Sequence, residues 1–131
     1  MQTDIERNHT SVFTSGFVPN DVKLVNELQD LIEIYYKTWR SPELYCDRLN
    51  ISLKRLNRLT RCYFKKSVYQ MMQDRLHREA VLLLMHSTLT AKEITFELGV
   101  CDPAHFSKCF KQRTGYSPGE FRKMVCSKTS D

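Results

Sequence analysis

Glycine and proline are scarce, four of each in 131 residues, and since these are the residues that most often end helices, long helices are allowed. Nowhere do apolar and polar residues alternate at a period of two, so the signal of a half-buried strand is missing. No apolar run approaches the ~18 residues that span a bilayer. The start, MQTDIERNHT, lacks the charged-then-apolar form of a signal peptide. The five cysteines, at 46, 62, 101, 109 and 126, are odd in number and include no CxxC. They suit neither a disulfide framework nor a zinc site, and read as reduced thiols in a cytoplasm. There is no P-loop, no HExxH and no pair of carboxylates at catalytic spacing, and His9, His77, His86 and His105 are scattered. The expectation is a protein that is not an enzyme and holds neither metal nor cofactor.

What the chain does have is an uneven charge. Residues 1–51 carry five Lys/Arg against eight Asp/Glu, a balance of −3, while residues 52–131 carry fifteen against seven, a balance of +8. A basic second part on an acidic first part points to a polyanionic partner for the former.

Residues 1–19 are polar and aperiodic, an arm with Phe13 and Phe17 as anchors. From Asn20 the spacing turns helical: Val22, Val25, Leu28, Ile32, Tyr35 and Trp39 form one stripe, with Asn20 or Asp21 as cap. Ser41-Pro42 starts a short helix that ends near Leu49-Asn50. Ser52 caps the next, to about Phe64. A long helix over 67–86 turns Val68, Met71, Met72, Leu76, Ala80, Leu83 and Leu84 inward. Thr90 and Glu93 form a capping box whose helix stops at Leu98-Gly99. Asp102-Pro103 opens a helix that stops at Thr114-Gly115, and Ser117 with Glu120 caps the last. The fold expected is all-α, about seven helices.

A weak internal repeat at 49 to 50 residues organises them. Tyr45, Cys46, Leu49, Asn50 and Ile51 match Ile94, Thr95, Leu98, Gly99 and Val100. Each set ends in a turn residue that tolerates positive φ and an apolar plug, and a capped helix follows. The second copy has one extra residue, Cys101. A small residue (Cys46, Thr95) lets a second helix cross closely, which is the helix-turn-helix arrangement. Two such subdomains, 20–66 and 87–125, are joined by the linker helix 67–86, with a tail at 126–131. A helix of ~20 residues is about 30 Å long, close to the ~34 Å between successive major-groove faces of B-DNA.

The stretch 89–122, LTAKEITFELGVCDPAHFSKCFKQRTGYSPGEFR, resembles the DNA-binding domain of the AraC/XylS family of bacterial transcription regulators. The run DRLHREAVLLL is similar to that of Bacteroidetes-type members, and the likeness covers about residues 22–124. Thr95 stands where the family usually has Ala, Val100 where it has Phe, and Lys65 or Lys66 where a glycine follows the first recognition helix.

The resemblance implies sequence-specific binding of double-stranded DNA and transcription regulation, more often activation through RNA polymerase. The rival is a non-specific basic helical module for nucleic acid or an acidic protein. Recognition helices are expected over 52–64 and 102–114. Base edges fall to Lys54, Arg55, Asn57 and Arg58 in the first, and to Pro103, Ala104, His105, Ser107 and Lys108 in the second; Arg suits guanine and Asn adenine. Phosphate contacts fall to Arg61, Lys65, Lys66, Ser67, Thr90, Lys92, Lys111 and Ser117. Arg122 reads equally as structural or DNA-facing. The chain is expected in the cytoplasm, on the nucleoid, off the membrane, and as a monomer unless it belongs to a longer, dimeric protein.

Overall fold

The computed structural model describes residues 19–129, so the arm, with Phe13 and Phe17, falls outside it. Among the described residues there are seven α-helices and no strand: α1 Pro19–Tyr35, α2 Pro42–Leu49, α3 Leu53–Phe64, α4 Val68–His86, α5 Ala91–Glu97, α6 Pro103–Thr114 and α7 Pro118–Thr129. None is long and apolar enough to cross a membrane. The chain divides into two compact units between Gln73 and Asp74, inside α4. Two ends differ from expectation. α1 opens at Pro19, so Asn20 and Asp21 lie in its first turn rather than capping it, and a proline with its fixed φ suits that first position. α7 stays helical to Thr129, through part of the stretch read as a tail.

In the first unit α1 packs on α2 and α3, and α2 on α3. The core takes Val22, Val25, Leu28, Leu31 and Ile32 from α1, Tyr45 and Cys46 from α2, Leu56 and Leu59 from α3, and Val68 and Met72 from the start of α4. The apolar stripe expected to run on to Trp39 is broken at Tyr35. Thr38 and Trp39 both donate their amides to the Tyr35 carbonyl, at 3.0 and 2.8 Å. Trp39 then stacks on Tyr35, centroids 4.0 Å apart and planes within 6°. The buried Tyr45 meets the Trp39 ring edge-on and donates its hydroxyl to the Trp39 carbonyl at 3.2 Å. Burial pushes the Tyr45 phenol up to about 12. These aromatics close the helix and build core.

In the second unit α5 packs on α6 and α6 on α7. Leu76, Ala80, Leu84, Ile94, Leu98 and Phe110 are buried. Phe110 is the hub: Phe121 meets it edge-on at 5.4 Å, Phe106 lies at 6.1 Å and His77 at 5.1 Å. Arg113 of α6 reaches Asp74 of α4 at 2.7 Å. Arg122 of α7 closes the C-terminus of α4. Its Nε donates to the Leu84 carbonyl at 3.0 Å, and its Nη2 to those of Leu83 and Ser87 at 3.3 and 3.1 Å. The last carbonyls of a helix have no partner within it, and a cation there also suits the dipole. Of its two readings, Arg122 takes the structural one. Along α4, Val68, Met72, Leu76, Ala80 and Leu84 are buried as expected, whereas Met71 and Leu83 are only half-buried.

Candidate nucleic-acid interface

The repeat is repeated in geometry, bond by bond. At the corner after α2, Asn50 takes φ 57 and donates to the Asp47 carbonyl at 3.3 Å, and Ile51 donates to Cys46 at 3.1 Å. At the corner after α5, Gly99 takes φ 74 and donates to Phe96 at 3.1 Å, and Val100 donates to Thr95 at 2.9 Å. Cys46 and Thr95, the small residues of the crossing, are both buried. Thr95 carries a hydroxyl where the family usually has alanine, and it is satisfied within its own helix by the Lys92 carbonyl at 2.7 Å. Each following helix is capped alike: Ser52 Oγ accepts from the Arg55 amide at 3.2 Å, and Asp102 Oδ1 from the His105 amide at 3.1 Å. Both end left-handed, at Lys65 (φ 63) and Gly115 (φ 87). Lys65, rather than Lys66, therefore stands in the glycine's place.

The outer face of α3 is cationic. Lys54, Arg58 and Arg61 are exposed, and their side chains make no hydrogen bond or ion pair among the described residues. Lys65 and Lys66 extend the charge past the end of the helix, both exposed. Arg55 is half-exposed and lies 3.5 Å from Asp21 in the first turn of α1. Asn57 differs from the rest. It is half-buried, and its Oδ1 accepts the Val68 amide at 2.9 Å, so one of that oxygen's two lone pairs is already engaged.

On α6, Pro103, Ala104, His105 and Lys108 are exposed, as is Lys111 one turn further on. Ser107 is half-buried rather than outward, and Cys109 is half-buried with its Sγ 3.5 Å from His105 Nε2. The two outer faces thus differ in chemistry: α3 is basic, and the start of α6 is apolar and weakly polar.

Three residues expected at phosphates are engaged in caps. Ser67 and Gln70 satisfy each other's amides at 2.8 and 3.1 Å, Thr90 and Glu93 at 2.8 and 3.1 Å, and Ser117 and Glu120 at 2.9 and 3.2 Å. In each the backbone amide is engaged and the hydroxyl oxygen accepts, while the hydroxyl's own proton is left to donate. These bonds also hold the Glu120 carboxyl below its ordinary value, the Ser117 amide first. Lys92 remains exposed. The string GYSPG at 115–119 spells the G-x-S-x-G of a hydrolase nucleophile elbow. That motif needs a strand-turn-helix setting, and here Ser117 caps a helix that follows another helix.

Two copies of one corner, each leading into a capped helix with an open outer face, define a double helix-turn-helix protein. A family described as a helix-turn-helix domain matches residues 45–124, and the chain belongs to it, within the AraC/XylS-type regulators. These are DNA-binding transcription regulators, not enzymes. The chain is 29% identical over 99 residues to the HTH-type transcriptional activator RhaS of Escherichia fergusonii, covering 76% of this chain and 36% of that protein. It therefore spans about a third of the activator's length. The fold matches the C-terminal domain of AraT, a response regulator from Geobacillus stearothermophilus, with a TM-score of 0.72 at 24% identity, covering 77% and 84% of the two chains. It also matches the DNA-binding domain of AdpA, a global transcriptional factor solved with a target DNA, with a TM-score of 0.74 at 18% identity and coverage of 82% and 96%.

Proposed function

We propose that this DNA-binding domain is sequence-specific, and that α3 and α6 enter adjacent major grooves of one duplex to regulate transcription, by activation. The observation that carries the reading is the duplicated corner, since each copy leaves the N-terminal half of its second helix open to solvent. Lys54, Arg55 and Arg58 suit base edges, an arginine fork matching guanine O6 and N7. Arg61, Lys65, Lys66, Lys92 and Lys111 suit phosphates, as do the hydroxyl protons of Ser67, Thr90 and Ser117, and such contacts position the domain without reading sequence. On α6, Pro103 and Ala104 suit thymine methyls, His105 and Lys108 offer polar contact, and the half-buried Ser107 adds a hydroxyl that suits either a donor or an acceptor on a base edge. Because the two faces differ in chemistry, the site need not be palindromic. The first unit carries more of the specificity and the second more of the anchoring. Activation follows from the likeness to RhaS, a transcriptional activator, and RNA polymerase is the natural partner.

The test is selection from a randomised duplex pool at two salt concentrations. One motif with two blocks about ten base pairs apart supports the reading, with Arg58→Ala relaxing one block and Lys108→Ala the other. Binding that falls evenly with salt and enriches no motif marks a non-specific basic module and ends it.

A further inference from the structure

Asn57 closes the N-terminus of α4. Its Oδ1 accepts the Val68 amide at 2.9 Å, beside the Ser67–Gln70 capping box. Fifty residues on, every part of this arrangement has a counterpart. Ser67 becomes Ser117 and Gln70 becomes Glu120, with the same reciprocal bonds. Val68 becomes Pro118, and Asn57 becomes Ser107. Proline has no N–H to satisfy, so the second unit needs no acceptor there, and none is supplied. An acceptor on the recognition helix thus goes with an amide at the first position of the next helix, and its loss goes with a proline. That is the covariation a structural bond requires within one chain. Reading adenine would call on the same Oδ1 again, as acceptor for N6–H, together with the Nδ2 as donor to N7, whereas the Val68 bond already fixes how this amide is turned.

We propose that Asn57 is a positioning residue. It ties α3 to the start of α4, and so sets how Lys54, Arg55 and Arg58 are presented to a duplex, without itself reading a base. The inference rests on the reading of α3 as a recognition helix.

The test uses the full chain with Asn57→Ala and Asn57→Asp. Aspartate keeps an acceptor at the same reach but cannot donate to adenine N7. Amide hydrogen exchange at Val68 is followed by NMR without DNA, with Leu28 as a global reference. Affinity is then ranked over the selected duplex and its single-base-pair variants. In Asn57→Ala, Val68 should exchange about tenfold faster, and affinity should fall about three- to tenfold for the loss of one buried bond, with the wild-type ranking of duplexes kept. Asn57→Asp should restore Val68 protection and keep the ranking, with an even, salt-sensitive loss from its added charge. Unchanged Val68 exchange in Asn57→Ala overturns the proposal. So does an Asn57→Asp variant that protects Val68 yet loses preference at one base pair. A wild-type chain that ranks no duplex above another overturns the reading of α3 and the positioning role together, while Val68 exchange still reports separately on the cap.

Discussion

Lys65 and Gly115 occupy the same place fifty residues apart, each ending a recognition helix with its backbone in the left-handed region, at φ 63 and φ 87. Each donates its amide four residues back, to Arg61 at 3.1 Å and Lys111 at 2.7 Å. A side chain in that region costs about 1 kcal/mol, so the first unit bears a strain that the second avoids. A Cβ at Gly115 meets nothing within 4 Å, which leaves conformation as the only obstacle there. Gly115→Ala should lower stability by about 1 kcal/mol. Lys65→Gly should raise it by about 0.5–1 kcal/mol, less what glycine's freedom costs on folding. Urea titrations measure both. Lys65→Gly should also make the salt dependence of DNA binding shallower by about one ion. A destabilised Lys65→Gly would show that the lysine side chain has a structural role beyond the turn.

Arg122 closes three carbonyls of one helix end with a single guanidinium. Its removal leaves them without that donor, and hydrogen bonds to a charged group are the stronger kind. Arg122→Ala should cost about 2–3 kcal/mol in denaturant titration. Arg122→Lys should recover little, because an ammonium cannot reproduce the planar fork. Equal stability of the lysine variant and the native chain would reduce Arg122 to a point charge at the helix dipole.

Asp21 lies 3.5 Å from Arg55 and is the more buried of the two. Part of the positive field of α3 is therefore answered from within the protein. Asp21→Asn should raise affinity for any duplex about two- to threefold at low salt, and the gain should vanish at high salt, where exposed charges are screened. Fluorescence anisotropy at two ionic strengths reads this directly. Loss of preference at one base pair, in place of an even gain, would mean that Asp21 orients Arg55 for reading.

What the sequence reveals and what it hides divide by distance along the chain. Ser52, Thr90, Asp102 and Ser117 cap bonds that close within three residues, and Asn50 and Gly99 turn corners that close within five, so spacing alone exposes them. The repeat follows, since it is a repeat of such local signals. Asp21 and Arg55 are 34 residues apart, Asp74 and Arg113 are 39 apart, and Arg122 acts on carbonyls 35 to 39 residues behind it. These pairs exist only once helices pack. Asn57 is hidden differently: its bond spans 11 residues, and an asparagine on a basic helix also fits adenine, so chemistry alone does not choose between the two partners. The end of α1 is hidden because Tyr35 and Trp39 keep helical spacing while stacking across a turn.

His77 lies against Phe110 at 5.1 Å, on the helix that carries Asp74, with Arg113 opposite. Its pKa is pushed below the ordinary 6.5 by burial first and then by the Arg113 charge, with Asp74 opposing. The unfolded chain therefore takes up a proton at a higher pH than the folded one. This contribution to stability is complete above pH 6.5 and is lost as pH falls through 6.5 towards the lower folded value. The Arg113–Asp74 pair bears the consequence, because a second cation would stand beside Arg113 in the packing of α4 on α6. The urea midpoint should fall between pH 7.5 and pH 5.5, and the fall should be smaller in His77→Phe, which keeps an aromatic against Phe110 but takes no proton. Comparing the two slopes removes what other groups contribute. Identical slopes would show that His77 protonates equally well in the folded chain, and that its place beside Phe110 costs the imidazolium nothing.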